Sequence, residues 1–105
     1  MGKVNYLDLF TRAINGNNSL TFKDNSSRSM ASFYYNVLIK IYSPNFNNCL
    51  SKEKELLQTI LDNNVSITKS ASNTEISVNS MSSDDNTSVG KIIKGIIDAD
   101  IEMKM

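Results

Sequence analysis

The sequence predicts a mostly α domain with one small β-hairpin, an α+β architecture. Three observations predict it. Segments 3–15, 28–42, 52–61 and 88–99 each carry apolar residues at the spacing of a helix that buries one side. Between them, Val65, Ile67, Ile76 and Val78 alternate with polar residues around Ser70-Ala-Ser-Asn73, which is hairpin chemistry. The chain has 105 residues, 40% hydrophobic and 21% charged, enough for one modest core and no second domain.

In the first helix Val4, Leu7, Phe10 and Ile14 fall near one face, and Gly16 is placed as its stop. Asn15 to Ser19 reads as a turn, and Leu20-Thr-Phe22 alternates as a short strand. Asp24-Asn-Ser-Ser27 supplies capping residues for a helix from Arg28 to Tyr42. That helix holds Met30, Tyr34, Val37, Leu38 and Ile41 at helical spacing, with Phe33 and Tyr35 adding bulk at its flanks. It is therefore the expected core helix, ended by Pro44. Residues 45–48 are loop. Ser51 then caps Lys52–Leu61, whose Leu57, Ile60 and Leu61 form a buried side, and Asn63-Asn64 closes it.

For residues 65–81 the alternative to a hairpin is a short helix from about Thr74 to Met81, buried through Ile76 and Met81. Its serines and asparagines are poor helix formers, so propensity favours the hairpin. Residues 82–88 form a polar turn or linker. In the helix that follows, over 88–99, Val89, Ile92, Ile93, Ile96 and Ile97 make one apolar stripe. Asp84, Asp85 and Asn86 suit its positive end. The opposite face carries Gly90, Lys91, Lys94, Gly95 and Asp98. Each glycine costs a helix roughly 1 kcal/mol relative to alanine, so a close approach there, by a phosphate or another helix, is one reason for them.

Composition removes whole classes of chemistry. The chain has no histidine, so the commonest general base, the triads and most zinc sites are absent from the expectation. The single cysteine, Cys49, forms no internal disulfide and reads as a small buried hydrophobe, and a reducing compartment follows. No glycine-rich phosphate loop is present, so neither an enzyme nor a bound cofactor is expected. The opening Met-Gly-Lys-Val-Asn-Tyr lacks the design of a signal peptide, and no apolar run approaches the ~20 residues of a membrane span. A cytoplasmic protein without membrane contact is expected. Eleven basic and eleven acidic residues cancel, which argues against an acidic DNA mimic and against a histone-like coat. Phe33, Tyr34, Tyr35 and Tyr42 have the ring content of a base-stacking platform, but consecutive rings on one helix are better explained by packing.

The order helix, short strand, helix, helix, hairpin, helix is that of a winged-helix domain, in which the third helix enters the major groove and the hairpin touches the phosphate backbone. That resemblance implies DNA contacts from Lys52, Lys54 and the hairpin's Lys69, with the last helix as a dimer element.

A second resemblance is to phage and bacterial helix-turn-helix proteins, and it spans roughly residues 33–103. Leu50-Ser-Lys-Glu-Lys-Glu-Leu-Leu-Gln-Thr-Ile-Leu61 resembles their opening helix, and Ser88, Val89, Ile92 and Ile96 match the pattern of their recognition helix. The turn at Ser83-Asp84-Asp85 is longer than usual, Ser77 replaces the expected alanine, and Asp100 stands where glycine is usual. This resemblance implies that Asn86 and Ser88 read phosphate or base edges and that Lys91 and Lys94 neutralise phosphates. The Gly-x-x-Gly clamp of a KH domain is missing, Ser43-Pro-Asn-Phe-Asn-Asn48 standing in its place.

Two functions are thus expected. One is a virus-, phage- or mobile-element-type regulator that binds duplex DNA as a homodimer. The other is a small inhibitor, immunity or anti-defence module that occludes a host protein. The state of residues 65–78 divides the first: a hairpin makes the last helix a packing or dimer element, and no hairpin makes it the reading head.

Overall fold

The computed structural model describes residues 4–44 and 51–79. Its elements are α1 (Tyr6–Ile14), β1 (Leu20–Phe22), α2 (Asn25–Ile41), α3 (Ser51–Asn64), β2 (Val65–Lys69) and β3 (Thr74–Val78). The α+β architecture with a hairpin is as the sequence predicts, but several boundaries and faces differ.

Helix α1 starts at Tyr6 because Asn5, in extended backbone, caps it, its side-chain oxygen accepting the Asp8 amide at 3.0 Å. Asp8 in the first turn and Arg12 in the last suit the ends of the helix dipole. The buried residues are Tyr6, Phe10 and Ala13, so the inward face is turned from the predicted one. Leu7 and Ile14 are half-buried, and Val4 precedes the helix and stays exposed. The helix stops as predicted. Gly16 takes φ +79, which costs glycine alone little, and its amide returns to the Ala13 carbonyl at 3.2 Å. The Asn17 side chain then accepts both the amide and the hydroxyl of Ser19, and the Leu20 amide donates to the Asn17 carbonyl at 2.9 Å, turning the chain into β1.

Helix α2 begins at Asn25, three residues before the predicted start. Asp24 alone is the cap, accepting the Ser27 amide at 2.7 Å, so Asn25 to Ser27 form the first turn rather than preceding it. Those bonds from Ser27 hold the Asp24 carboxyl below the usual carboxylate range. Ala31, Tyr34, Val37, Leu38 and Ile41 face the core, while Met30 is only half-buried. Tyr34 has no exposed surface, and Phe33 meets its ring edge-on with centroids 5.8 Å apart, so these rings serve packing.

The predicted strand and hairpin join in one sheet of order β1-β3-β2. Val65 pairs with Val78 and Lys69 with Thr74 in the antiparallel half. On the other side β3 takes β1 in parallel, Leu20 against Thr74 and Phe22 against Ile76. A parallel pair needs a long crossover, which α2, α3 and β2 provide. One sheet face carries Ile76, wholly buried, and Val78, against the helices. The other face is polar, with Thr21, Glu75 and Thr68 aligned across it and Ser66 beside Ser77.

Helix α3 buries Leu57, Ile60 and Leu61, as predicted, and passes into β2 with no intervening residue. At that junction the Asn64 side chain donates to the Ile60 carbonyl at 2.8 Å, and the Asn64 carbonyl accepts the Asn79 amide at 2.9 Å. A second tie crosses from α1. The Tyr6 hydroxyl donates to Asp62 Oδ1 at 2.8 Å, and the Gln58 amide donates to the same oxygen at 3.1 Å. Burial, the bond to Asp62 and its negative charge together raise the Tyr6 pKa.

One buried polar contact joins helix to sheet: Ser27 Oγ accepts the Val78 amide at 3.1 Å, out of solvent. Ser27→Ala leaves that amide without its partner and is expected to cost about 2 kcal/mol. The urea midpoint should fall with an unchanged slope; an unchanged midpoint would contradict the assignment.

The Asp24 cap makes a pH prediction. Its folded pKa is depressed, so the cap stabilises fully above the unfolded carboxylate value of about 3.9 and is lost as pH falls through the lower folded value. Asp24→Asn keeps a capping oxygen without the titration. The thermal midpoints of wild type and variant should therefore converge on acidification below about pH 4. A gap that stays constant with pH would contradict this.

Candidate functional site

Of the seven residues the sequence assigns to an interface, Asn86, Ser88, Lys91 and Lys94 lie outside the described residues. The other three occupy α3 and the hairpin. Lys52 is exposed in the first turn of α3. Lys54, two residues on, is half-buried, and its Nζ sits 5.2 Å from the centroid of the Tyr42 ring. A cation over a ring face is held electrostatically, so this lysine is less available to a phosphate than Lys52. Lys69 is exposed at the end of β2, where the strand enters the turn.

That turn is well fixed. The Ser70 amide donates to the Asn73 carbonyl at 2.8 Å, and the Asn73 amide returns to Ser70 Oγ at 3.2 Å. The Asn73 side chain donates across to Thr21 Oγ1 at 2.8 Å, so β1 braces the hairpin tip. Lys69 is therefore presented from a supported position. Sequence reading assigned Asn73 only to a turn, because its partner lies 52 residues away.

The lysines lie on two elements, Lys52 and Lys54 near the start of α3 and Lys69 at the end of β2. Fourteen residues of α3 span about 20 Å, and the four steps from Val65 to Lys69 add about 13 Å. Lys52 and Lys69 mark the far ends of two rigid arms that meet at Asn64 and Val65. The ends are therefore at most about 33 Å apart. Between them the exposed side of α3 carries Glu55, Leu56, Thr59, Asp62 and Asn63. This side is mixed in charge rather than basic, a property the alternating charges of Lys52-Glu-Lys-Glu55 already announce in the sequence.

Two further cations were not assigned by sequence reading. Lys23 and Arg28, both exposed, line a polar cleft of about 530 Å³ with Thr21 and Asn17, between β1 and the start of α2. Their signal was their placement on either side of the Asp24 cap, which becomes a shared location only once β1 leads directly into α2. A second, more apolar cleft of about 410 Å³ lies between α1 and the end of α2, lined by Val4, Leu7, Leu38 and Tyr42 with Tyr6 and Gln58.

Among the described residues no group of three acidic or thiol side chains is placed to hold a metal ion. No helix among them is long and apolar enough to cross a membrane. Comparison of the chain with protein-family models, with curated proteins and with solved structures gives no match.

Proposed function

We propose that the chain is a small non-enzymatic regulator of winged-helix type, binding duplex DNA through the start of α3 and through the hairpin. The observation that carries this reading is the direct passage of α3 into a braced hairpin, with Lys52 and Lys69 exposed at the two outer ends. On this reading the helix and the wing each carry an exposed lysine to a phosphate backbone. Because residues 65–78 form a hairpin, α3 takes the reading role and the segment carrying Asn86, Ser88, Lys91 and Lys94 becomes a packing or dimer element.

Two exposed lysines supply little phosphate neutralisation. A single copy would bind weakly, and a symmetric dimer on a palindrome would double the contacts. Affinity for random duplex should fall with salt at a log–log slope of about −2 per copy. The pair Lys52→Glu and Lys69→Glu should abolish binding with the far-ultraviolet circular dichroism unchanged. Undetectable binding at low salt would overturn the reading. Loss of binding on replacing Lys91 and Lys94, but not Lys52 and Lys69, would return the reading role to the last segment.

A protein-binding module is the second reading, favoured by the character of the outer side of α3. Leu56 is 46% exposed there among Glu55, Thr59 and Asp62, a composition suited to a protein surface rather than to a polyanion.

A further inference from the structure

Asparagine followed by glycine occurs once in the chain, at Asn15-Gly16, and it stands where α1 stops. The pairing carries chemistry of its own. A glycine amide nitrogen has no side chain beside it, so it can reach the side-chain carbonyl of a preceding asparagine. Both residues are exposed, and a Cβ placed on Gly16 would meet nothing within 4 Å, so water has free access to the peptide bond between them. We propose that Asn15 is a site of spontaneous deamidation, with water as its co-reactant, and that the stop of α1 sets the rate.

The reaction balances without a cofactor. The Gly16 nitrogen attacks Asn15 Cγ, and the new C–N bond closes a cyclic imide. The bond from Cγ to the side-chain nitrogen breaks, and ammonia leaves with the proton that the Gly16 nitrogen gives up. Water then opens the imide at either carbonyl. One product is aspartate, and the other is isoaspartate, whose main chain runs through Cβ and Cγ.

The folded geometry holds the reacting atoms apart. Asn15 has a ψ of 3°, which sets the Gly16 nitrogen in line with the Asn15 nitrogen and away from Cβ. Ring closure needs that nitrogen beside Cβ, a turn of roughly 120° about the Cα–C bond and out of the helical region. The turn also costs hydrogen bonds. The Gly16 amide donates to the Ala13 carbonyl at 3.2 Å and the Asn17 amide to the Arg12 carbonyl at 3.1 Å, and together they fix this peptide plane. Beyond them the Asn17 side chain holds the amide and hydroxyl of Ser19. Ring closure therefore waits for the last turn of α1 to open, and its rate follows the population of the open form.

The change is one-way and has a structural consequence. A carboxylate at position 15 lies at the negative end of the α1 dipole. Isoaspartate also adds a methylene to the main chain, so the Gly16 and Asn17 amides no longer meet the Ala13 and Arg12 carbonyls together. Asn17 leads the chain into β1, its carbonyl accepting the Leu20 amide at 2.9 Å. The product therefore loosens the entry to β1. None of this depends on nucleic-acid binding.

The test holds the full chain at neutral pH, folded or in denaturing urea, and follows Asn15 by tryptic mass spectrometry with fragmentation. Cleavage after Arg12 and Lys23 isolates residues 13–23. Conversion to aspartate and isoaspartate is expected in urea, and more than about tenfold slower in the folded chain. Asn17→Ala removes the side chain that holds Ser19. It should speed the folded reaction severalfold and leave the rate in urea unchanged. Absence of conversion in urea would overturn the site, and equal rates in the two states would overturn the gate. A folded rate unchanged by Asn17→Ala would likewise overturn the assignment of the gate to this turn.

Discussion

Strand β3 is held from three directions at once, and the other elements depend on that. Its first residue donates from Thr74 to the Ser19 carbonyl at 2.7 Å, and the Ile76 carbonyl accepts the Lys23 amide at 2.8 Å. At its end the Val78 amide reaches Ser27 Oγ on α2. With β2 along the other edge, β3 leaves no backbone edge to solvent, and Ile76 beneath it is fully buried. A buried amide has to be paired, and here one serine hydroxyl sets the height at which α2 crosses the sheet. The same serine donates its own amide to Asp24, so the cap of α2 and the end of β3 are fixed by one residue. Among the described residues two buried side-chain oxygens have no hydrogen-bond partner, the Tyr34 hydroxyl in the core and Asn73 Oδ1 at the hairpin.

Local chemistry was legible in the sequence wherever the deciding partner was near. Gly16 ends α1 because a left-handed residue is needed there. The alternation of Val65, Ile67, Ile76 and Val78 gave the hairpin its correct arms, and Leu57, Ile60 and Leu61 gave α3 its inner side. Errors arose where a distant partner decided. Periodicity alone set the face of α1 on Val4 and Leu7, whereas the bond between Tyr6 and Asp62, 56 residues apart, goes with an inward face of Tyr6, Phe10 and Ala13. The serines after Asp24 read as a cap because serine is a weak helix former, yet Ser27 has a buried use within the first turn. The parallel pairing of β1 with β3 has no local signature, since a three-residue strand has no pattern long enough to specify a partner.

The candidate interface was legible as residue types and not as a surface. In the sequence, charge and position single out Lys52, Lys54 and Lys69. Their surroundings differ: Lys54 rests on the Tyr42 ring, while Lys52 and Lys69 are exposed, one at the start of α3 and one at the end of β2. On the proposed DNA-binding reading, the exposed acidic residues of α3 would limit how deep the helix sits against phosphates, and more of the contact would fall on the hairpin and on the first turn. On that reading the brace from Asn73 to Thr21 would steady the hairpin for the contact, because an unsupported tip would lose orientational freedom on binding.

The surface proposed to meet DNA is made by α3 and the hairpin. A titration of the labelled chain with a short DNA duplex, followed by amide chemical shifts, tests it most directly. The largest shifts are expected at Lys52 and at Lys69 through Asn73, with little change at Val4 and Tyr42. Shifts confined to the cleft around Val4 and Tyr42, or no shifts at low salt, would contradict it.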